Sequence, residues 1–189
     1  KPTGIQDSYS GIVFNDGTSA GINFRAGNEL AYHWPGGQWW WSSGLIVDTN
    51  QWSHVVLVAK PTGITIYLNG IASTHNFSLS PADIGTMRIG SYKGWTSRNY
   101  RGEIDEVCIW NRALSQEEIR ELRHLTRTGT TPFTDDLVAY YQFNLNASDV
   151  LDRINSNHAS LNGPAQKVLS TAPIAGGESH RLTVNSAGP

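Results

Sequence analysis

The stretch Ile64-Thr65-Ile66-Tyr67-Leu68-Asn69-Gly70 constrains the fold most. Apolar residues fall on every second position, the period of a strand whose side chains point alternately to two faces. The run ends in Asn-Gly, the pair favoured in a type I′ hairpin turn because both central residues take positive φ. A strand that enters such a turn pairs with the segment on the far side of it. The preceding segment, Val55-Val56-Leu57-Val58-Ala59, is apolar on both faces, the pattern of a strand buried between two layers. Pro61-Thr62-Gly63 joins the two as a turn. Residues 52–75 therefore read as a β-meander.

Further strands are expected at Ile22-Asn23-Phe24, Leu30 to Trp34, Met87-Arg88-Ile89, Ile104 to Trp110 and Leu137 to Phe143. Many short strands separated by turn signals predict an all-β, antiparallel β-sandwich of jelly-roll type. The composition agrees. Charged residues make up 16%, against a usual share of about 25%, while aromatics reach 10% with seven Trp. A chain of 189 residues buries a core without metal or disulfide staples. The single cysteine, Cys108, excludes an internal disulfide framework. It is expected to be buried and inert. Basic residues number 14 against 16 acidic ones with no basic stripe, which argues against nucleic acid as a partner. No apolar run is long enough for a helical membrane span.

One short capped helix is expected after Leu114. Ser115 is its N-cap and Glu118 stands at N3, the two halves of a capping box, while Leu114 and Ile119 form a hydrophobic staple. Gly129, Thr130, Thr131 and Pro132 end it. Residues 1–170 read as a single domain, in which a late strand and polar loop over 135–170 complete it or open a next repeat. Residues 171–189 read as a tail or linker containing a short strand candidate, Arg181-Leu182-Thr183-Val184.

Three stretches together resemble the laminin-G-like, concanavalin A-like lectin/glucanase jelly-roll family. They are Asn50-Gln51-Trp52-Ser53-His54-Val55-Val56-Leu57-Val58, the Ile64 to Gly70 run, and Gly102-Glu103-Ile104-Asp105-Glu106-Val107-Cys108-Ile109-Trp110-Asn111-Arg112-Ala113-Leu114-Ser115 with Glu118-Ile119. The resemblance covers about residues 10–125. Residues 137–161, with Asn157-His158, are similar to a segment that usually opens such domains. The resemblance implies a module of secreted or surface multidomain bacterial proteins, hence an extracellular or cell-surface location. It further implies a partner that is a glycan or an extracellular protein, with neighbouring domains in a longer chain. It also implies that Asp105 can be a ligand of a structural Ca2+. The remaining candidate ligands are Asn144, Asn146, Asp149 and Asp152 in the polar loop, since calcium takes six to eight oxygens. An ordinary hydrogen-bonded Asx-rich loop explains the same residues.

Catalytic readings fare worse. Retaining glycoside hydrolysis needs two carboxylates facing the scissile bond. Along an extended strand Glu103 and Asp105 share a face, but the i+4 position on that face is Val107 and Glu106 points the other way, so the paired carboxylate of a jelly-roll glucanase is missing. Gly17-Thr18-Ser19-Ala20-Gly21 matches Gly-x-Ser-x-Gly, yet a nucleophile elbow requires a helix after it and the chain continues as strand. The six His are scattered without a zinc spacing. No catalytic residue is assigned.

Trp34-Pro35-Gly36-Gly37-Gln38-Trp39-Trp40-Trp41 is the most unusual segment. If extended, it places Trp39 and Trp41 on one face and Trp40 on the other. Three consecutive indoles cannot enter one core face, so at least one is expected near the surface, where sugar rings stack on aromatic faces. Tyr92, Trp95, Arg98 and Tyr100 form a second aromatic and polar loop. Trp39, Trp40, Trp41 and Trp95 are thus candidate stacking residues for a carbohydrate, with Arg98 and Tyr100 as hydrogen-bond donors and Tyr92 as a further candidate binding residue of the same loop. Core filling is the competing role for the indoles. The expected function is a non-catalytic carbohydrate-binding or adhesion module. A protein-interaction module is the alternative, and a glycoside hydrolase or polysaccharide lyase comes third.

Overall fold

The computed structural model describes residues 1–36, 38–124, 133–144, 149–172 and 180–184. They form antiparallel sheets and one α-helix, the β-sandwich class expected from the strand pattern. The chain divides into two compact units, Lys1–Gly102 and Glu103–Val184.

The first unit carries eight strands: β1 (Gly11–Asn15), β2 (Gly21–Phe24), β3 (Leu30–Trp34), β4 (Gln38–Trp39), β5 (Val55–Lys60), β6 (Gly63–Leu68), β7 (Ile71–Asn76) and β8 (Met87–Ile89). A five-stranded sheet runs β4-β3-β2-β1-β8, and a three-stranded sheet runs β5-β6-β7. The meander at β5–β7 appears as expected. Asn69 and Gly70 both take positive φ, 52° and 84°, as a type I′ turn requires. Gly63 is needed for a different reason. A Cβ there would lie 2.1 Å from the His75 carbonyl oxygen, so only glycine lets β7 approach β6 at this point.

One detail departs from expectation. The apolar pattern of β5 predicts a fully buried strand, yet β5 is an edge strand, and Val55, Val56 and Leu57 are only half-buried. The buried centre of this sheet is β6, whose Ile64, Ile66 and Leu68 face inward. The two sheets meet through Tyr32 of β3, whose hydroxyl is hydrogen-bonded to His75 Nδ1 of β7 at 2.7 Å and whose ring lies parallel to Phe77. Burial pushes the Tyr32 phenol up to about 12.

The second unit holds β9 (Gly102–Ile104), β10 (Val107–Trp110), α1 (Gln116–His124), β11 (Leu137–Tyr141), β12 (Asp149–Val150), β13 (Ala159–Ser160), β14 (Gln166–Leu169) and β15 (His180–Val184). β9 begins at the unit boundary. β10 pairs antiparallel with β11, β12 with β13, and β15 lies between β14 and β9. The strand candidate in the tail is thus β15. Helix α1 starts as its sequence demands. The Glu118 amide donates to Ser115 Oγ at 3.1 Å, and the Ser115 amide donates back to Glu118 Oε2 at 2.7 Å. Leu114 and Ile119 are buried as the staple. Arg112 forks onto the Glu118 carboxylate at 2.6 and 2.9 Å. That fork and the Ser115 amide hold the Glu118 carboxyl down at about 2. Cys108 differs from expectation: it is half-buried, on a strand that among the described residues pairs with β11 alone.

Candidate functional site: an aromatic patch around a guanidinium

Strand β3 is buried at all five positions, so both its faces are covered. Strand alternation sends Tyr32 to one face and His33 to the other. His33 stands opposite Gly21 on β2 and Trp39 on β4. Around it the sequence assembles three loops.

The first is the turn into and out of β4. Trp39 packs edge-on against His33 at 5.0 Å and leaves about half its surface (51%) in solvent. At Trp40 the backbone swings to φ +56°, a left-handed conformation that ends the strand. This corrects the extended reading of the Trp triplet. Because the period of two stops at Trp40, Trp40 joins the same patch as Trp39, and Trp41 is the indole sent elsewhere. Trp41 stacks on His75 at 5.0 Å with an interplanar angle of 11°, beside Tyr32. It belongs to the contact between the two sheets, the core-filling role.

The second loop precedes β1. Tyr9 stacks on Trp40 at 4.6 Å and, more distantly, on His33 at 5.6 Å. Arg25 also packs against Trp40, its guanidinium 4.8 Å from the indole and its Nη1 donating to the Trp40 carbonyl at 2.7 Å. Glu29 holds Arg25 in place at 3.1 Å. Burial opposes charge on Glu29, but bonds from Ser42 Oγ and the Gly44 amide and the Arg25 charge outweigh it, so its carboxyl sits below the usual range.

The third loop follows β8. Three backbone bonds wind it tightly: Tyr92 to Arg98, Trp95 to Tyr92 and Arg98 to Trp95. Tyr92 is 7% exposed and lies on Phe14 at 4.2 Å and His33 at 5.3 Å, forming a floor. Trp95 meets Tyr92 edge-on at 6.0 Å and is 52% exposed. Arg98 is half-buried among three rings: Trp95 at 4.2 Å, Tyr9 at 4.5 Å and Tyr92 at 4.8 Å. Tyr100 is not part of this surface. It is 3% exposed and stacks on Phe24, so it serves the core.

The electrostatics follow from this packing. His33 is 2% exposed. Burial, and secondarily the Arg98 charge, lower its pKa to about 4, so it is neutral at pH 7. Asn23 Nδ2 lies 3.4 Å from its Nδ1. Burial raises the Tyr92 phenol. The patch is therefore aromatic and neutral except for its two guanidinium groups.

Of the residues expected at the site, Trp39, Trp40, Tyr92, Trp95 and Arg98 come together, and Trp41 and Tyr100 do not. Sequence reasoning missed Tyr9, Arg25 and His33. His33 was legible in part. A three-residue connection after position 34 pairs position 33 with 39, as it does here. Nothing local marks Tyr9, which reaches the patch through a positive φ of 73°.

The calcium candidates lie in the second unit. Asp105 Oδ1 accepts the Glu106 amide at 2.9 Å and Oδ2 accepts Ser170 Oγ at 2.6 Å. Asp152 is buried and accepts three backbone N–H groups, from Tyr140, Ile154 and Asn155, at 2.9 to 3.2 Å. That is the arrangement of an Asx turn. Asn144 is half-buried. Asn146 lies outside the described residues, and of Asp149 only the backbone, in β12, is described. Among the described residues no group of three or more His, Cys, Asp and Glu is placed to hold a metal.

The carboxylate run also changes. Glu106 takes φ +55°, which breaks the strand between β9 and β10, so two-residue alternation does not carry across it. Asp105 turns to Ser170, while Glu106 Oε2 accepts the Tyr140 hydroxyl. Ser19 sits in the turn between β1 and β2, with strand on both sides, and its Oγ accepts from Lys93 Nζ at 2.6 Å.

Antiparallel sheets with one capped helix place the chain in the β-sandwich class of domain. Residues 1–120 match a laminin G type family described as the concanavalin A-like lectin/glucanases superfamily, and the chain belongs to that superfamily. Among solved structures it is similar to a Bacteroides ovatus protein provisionally described as carbohydrate-binding. The TM-score is 0.61 at 19% identity. The match covers 85% of this chain and 52% of that one, so the chain spans about half the length of its structural relative. No curated protein matches it. Among the described residues no helix is long and apolar enough to cross a membrane.

Proposed function

We propose that the protein is a non-catalytic glycan-binding module of an extracellular or cell-surface protein, acting in adhesion or substrate capture. The observation that carries this reading is the pair of half-exposed indoles, Trp39 and Trp95, set around a neutral floor of Tyr92 and His33 with Trp40 and Tyr9 between. An exposed indole offers a flat π-face to the apolar side of a pyranose. The superfamily and the Bacteroides ovatus relative support the same direction.

Titration of intrinsic Trp fluorescence with a panel of neutral and acidic polysaccharides tests it. A saturable shift that is lost in folded Trp39→Ala and Trp95→Ala variants is the expected result. No shift with any member of the panel refutes the reading and favours a protein-interaction module instead.

A further inference from the structure

The first unit contains four arginines: Arg25, Arg88, Arg98 and Arg101. Three have a carboxylate. Arg25 is paired with Glu29, Arg88 with both oxygens of Asp16 at 2.7 and 2.8 Å, and Arg101 with Asp7. Arg98 has none among the described residues. Its surroundings are two phenols, an indole and a neutral imidazole. It is also the arginine at the centre of the aromatic patch.

A half-buried guanidinium without a counter-charge is a costly arrangement unless something compensates it. Stacking on aromatic rings occupies the faces of the guanidinium plane and makes up part of its lost hydration. The five N–H groups lie in that plane, so stacking leaves edge donors available, apart from the one used by the Tyr92 hydroxyl. Such an edge matches the two oxygens of a carboxylate or of a sulfate ester, with paired, charge-assisted bonds. A neutral hydroxyl offers one acceptor and no charge. The chain as a whole carries a formal net charge of −2, so general attraction of polyanions is not built into it.

We propose that the patch recognises an acidic sugar, a uronate carboxylate or a sulfate ester seated on the edge of Arg98 while the ring stacks on Trp95 or Trp39. This rests on the glycan-binding reading and narrows its ligand class. Arg98 is the specificity-determining residue, and the indoles supply contact that neutral and acidic sugars share.

Matched pairs of polymers test this on the whole chain: polygalacturonate against its fully methyl-esterified form, and dextran sulfate against dextran. The first pair differs in whether the carboxyl is ionised or capped as its methyl ester and the second in sulfate, so the pair that responds identifies the source of the anion. At low salt the acidic member of one pair is expected to bind about tenfold or more tightly than its neutral partner, the scale of a charged hydrogen-bonded contact. Arg98→Gln should abolish that preference, while Arg101→Gln, whose arginine is paired with Asp7, should keep it. If Arg98→Gln unfolds by near-UV circular dichroism, Arg98→Lys decides. It keeps the charge without the planar fork, so the preference should fall yet persist and be removed by high salt. Equal binding of both members of each pair overturns the inference and leaves the glycan-binding reading standing, as does a preference that survives Arg98→Gln. Failure of every neutral and acidic polysaccharide in the panel overturns both.

Discussion

Lowering the pH from 7 to 5 should destabilise the fold through one side chain, His33. In the folded protein this imidazole is walled in by Tyr9, Trp39, Tyr92 and Phe14, and its pKa is held down to about 4 from 6.5. The unfolded chain therefore binds a proton that the folded chain refuses. Stability is accordingly full above the unfolded pKa and declines as the pH falls toward the folded one. At 1.36 kcal/mol per pKa unit the whole effect is about 3 kcal/mol, of which linkage places about 2 kcal/mol between pH 7 and pH 5. That is a large share of a typical domain stability of about 5–15 kcal/mol. Burial raises the Tyr32, Tyr92 and Tyr141 phenols, which titrate far above this window. The lowered Glu118 and Glu29 carboxyls release their contribution only below about 4.5. Urea unfolding at pH 7, 6 and 5, followed by Trp fluorescence, measures the loss as a shift in midpoint at constant slope. The same series on His33→Gln, which cannot titrate, subtracts every other group. The wild-type loss should exceed the variant loss by about 2 kcal/mol. Equal losses in the two proteins would refute the assignment of a buried neutral imidazole beneath the patch.

The same geometry sets four other outcomes. Trp95→Ala should weaken glycan binding about tenfold or more with less than about 1 kcal/mol of stability lost, since half the indole is already in water; calorimetry alongside thermal melting separates the two. Trp41→Ala should do the reverse, lowering stability by about 2–4 kcal/mol through loss of the His75 stack while leaving binding unchanged. Asp152→Ala should cost about 2–4 kcal/mol by stranding three backbone N–H groups. That cost should be the same in calcium and in EDTA, and a cost confined to calcium would instead locate a metal at this loop. Ser115→Ala should cost about 1 kcal/mol by removing the N-cap of α1, read from chemical denaturation.

Local signals carried far in this chain where they did not depend on tertiary contacts. The Asn69-Gly70 turn, the β5–β7 meander and the Ser115–Glu118 box each declare themselves within a few residues, and each is present. The patch was legible only as a composition of loops. Trp39, Trp40, Tyr92, Trp95 and Arg98 stood out as aromatic and polar residues next to glycine-rich turns. The residues that join them, Tyr9 and His33, act at long range, and no periodicity links them to either loop. Two errors share one cause. The fates of Trp41 and Glu106 were read by counting alternate positions, and in both places a non-glycine residue at positive φ, Trp40 and Glu106 itself, interrupts the count. Such conformations are stabilised by surrounding contacts and have no local signature. Cys108 and β5 went the other way. An apolar strand pattern marks a surface that needs cover, and cannot tell an edge position from a central one.

The bend at Trp40 also bears on how a domain of this kind diversifies. Trp39, Trp40 and Trp41 are chemically identical, and their place relative to the hairpin and to the bend at Trp40 decides that two serve the surface and one the joint between sheets. Inserting or deleting one residue between β3 and β4 would reassign all three without altering an indole. Loop length is then a coarse dial on the size of the aromatic surface, turned by insertion and deletion, while substitution at positions 95 and 98 alters its chemistry without moving the backbone.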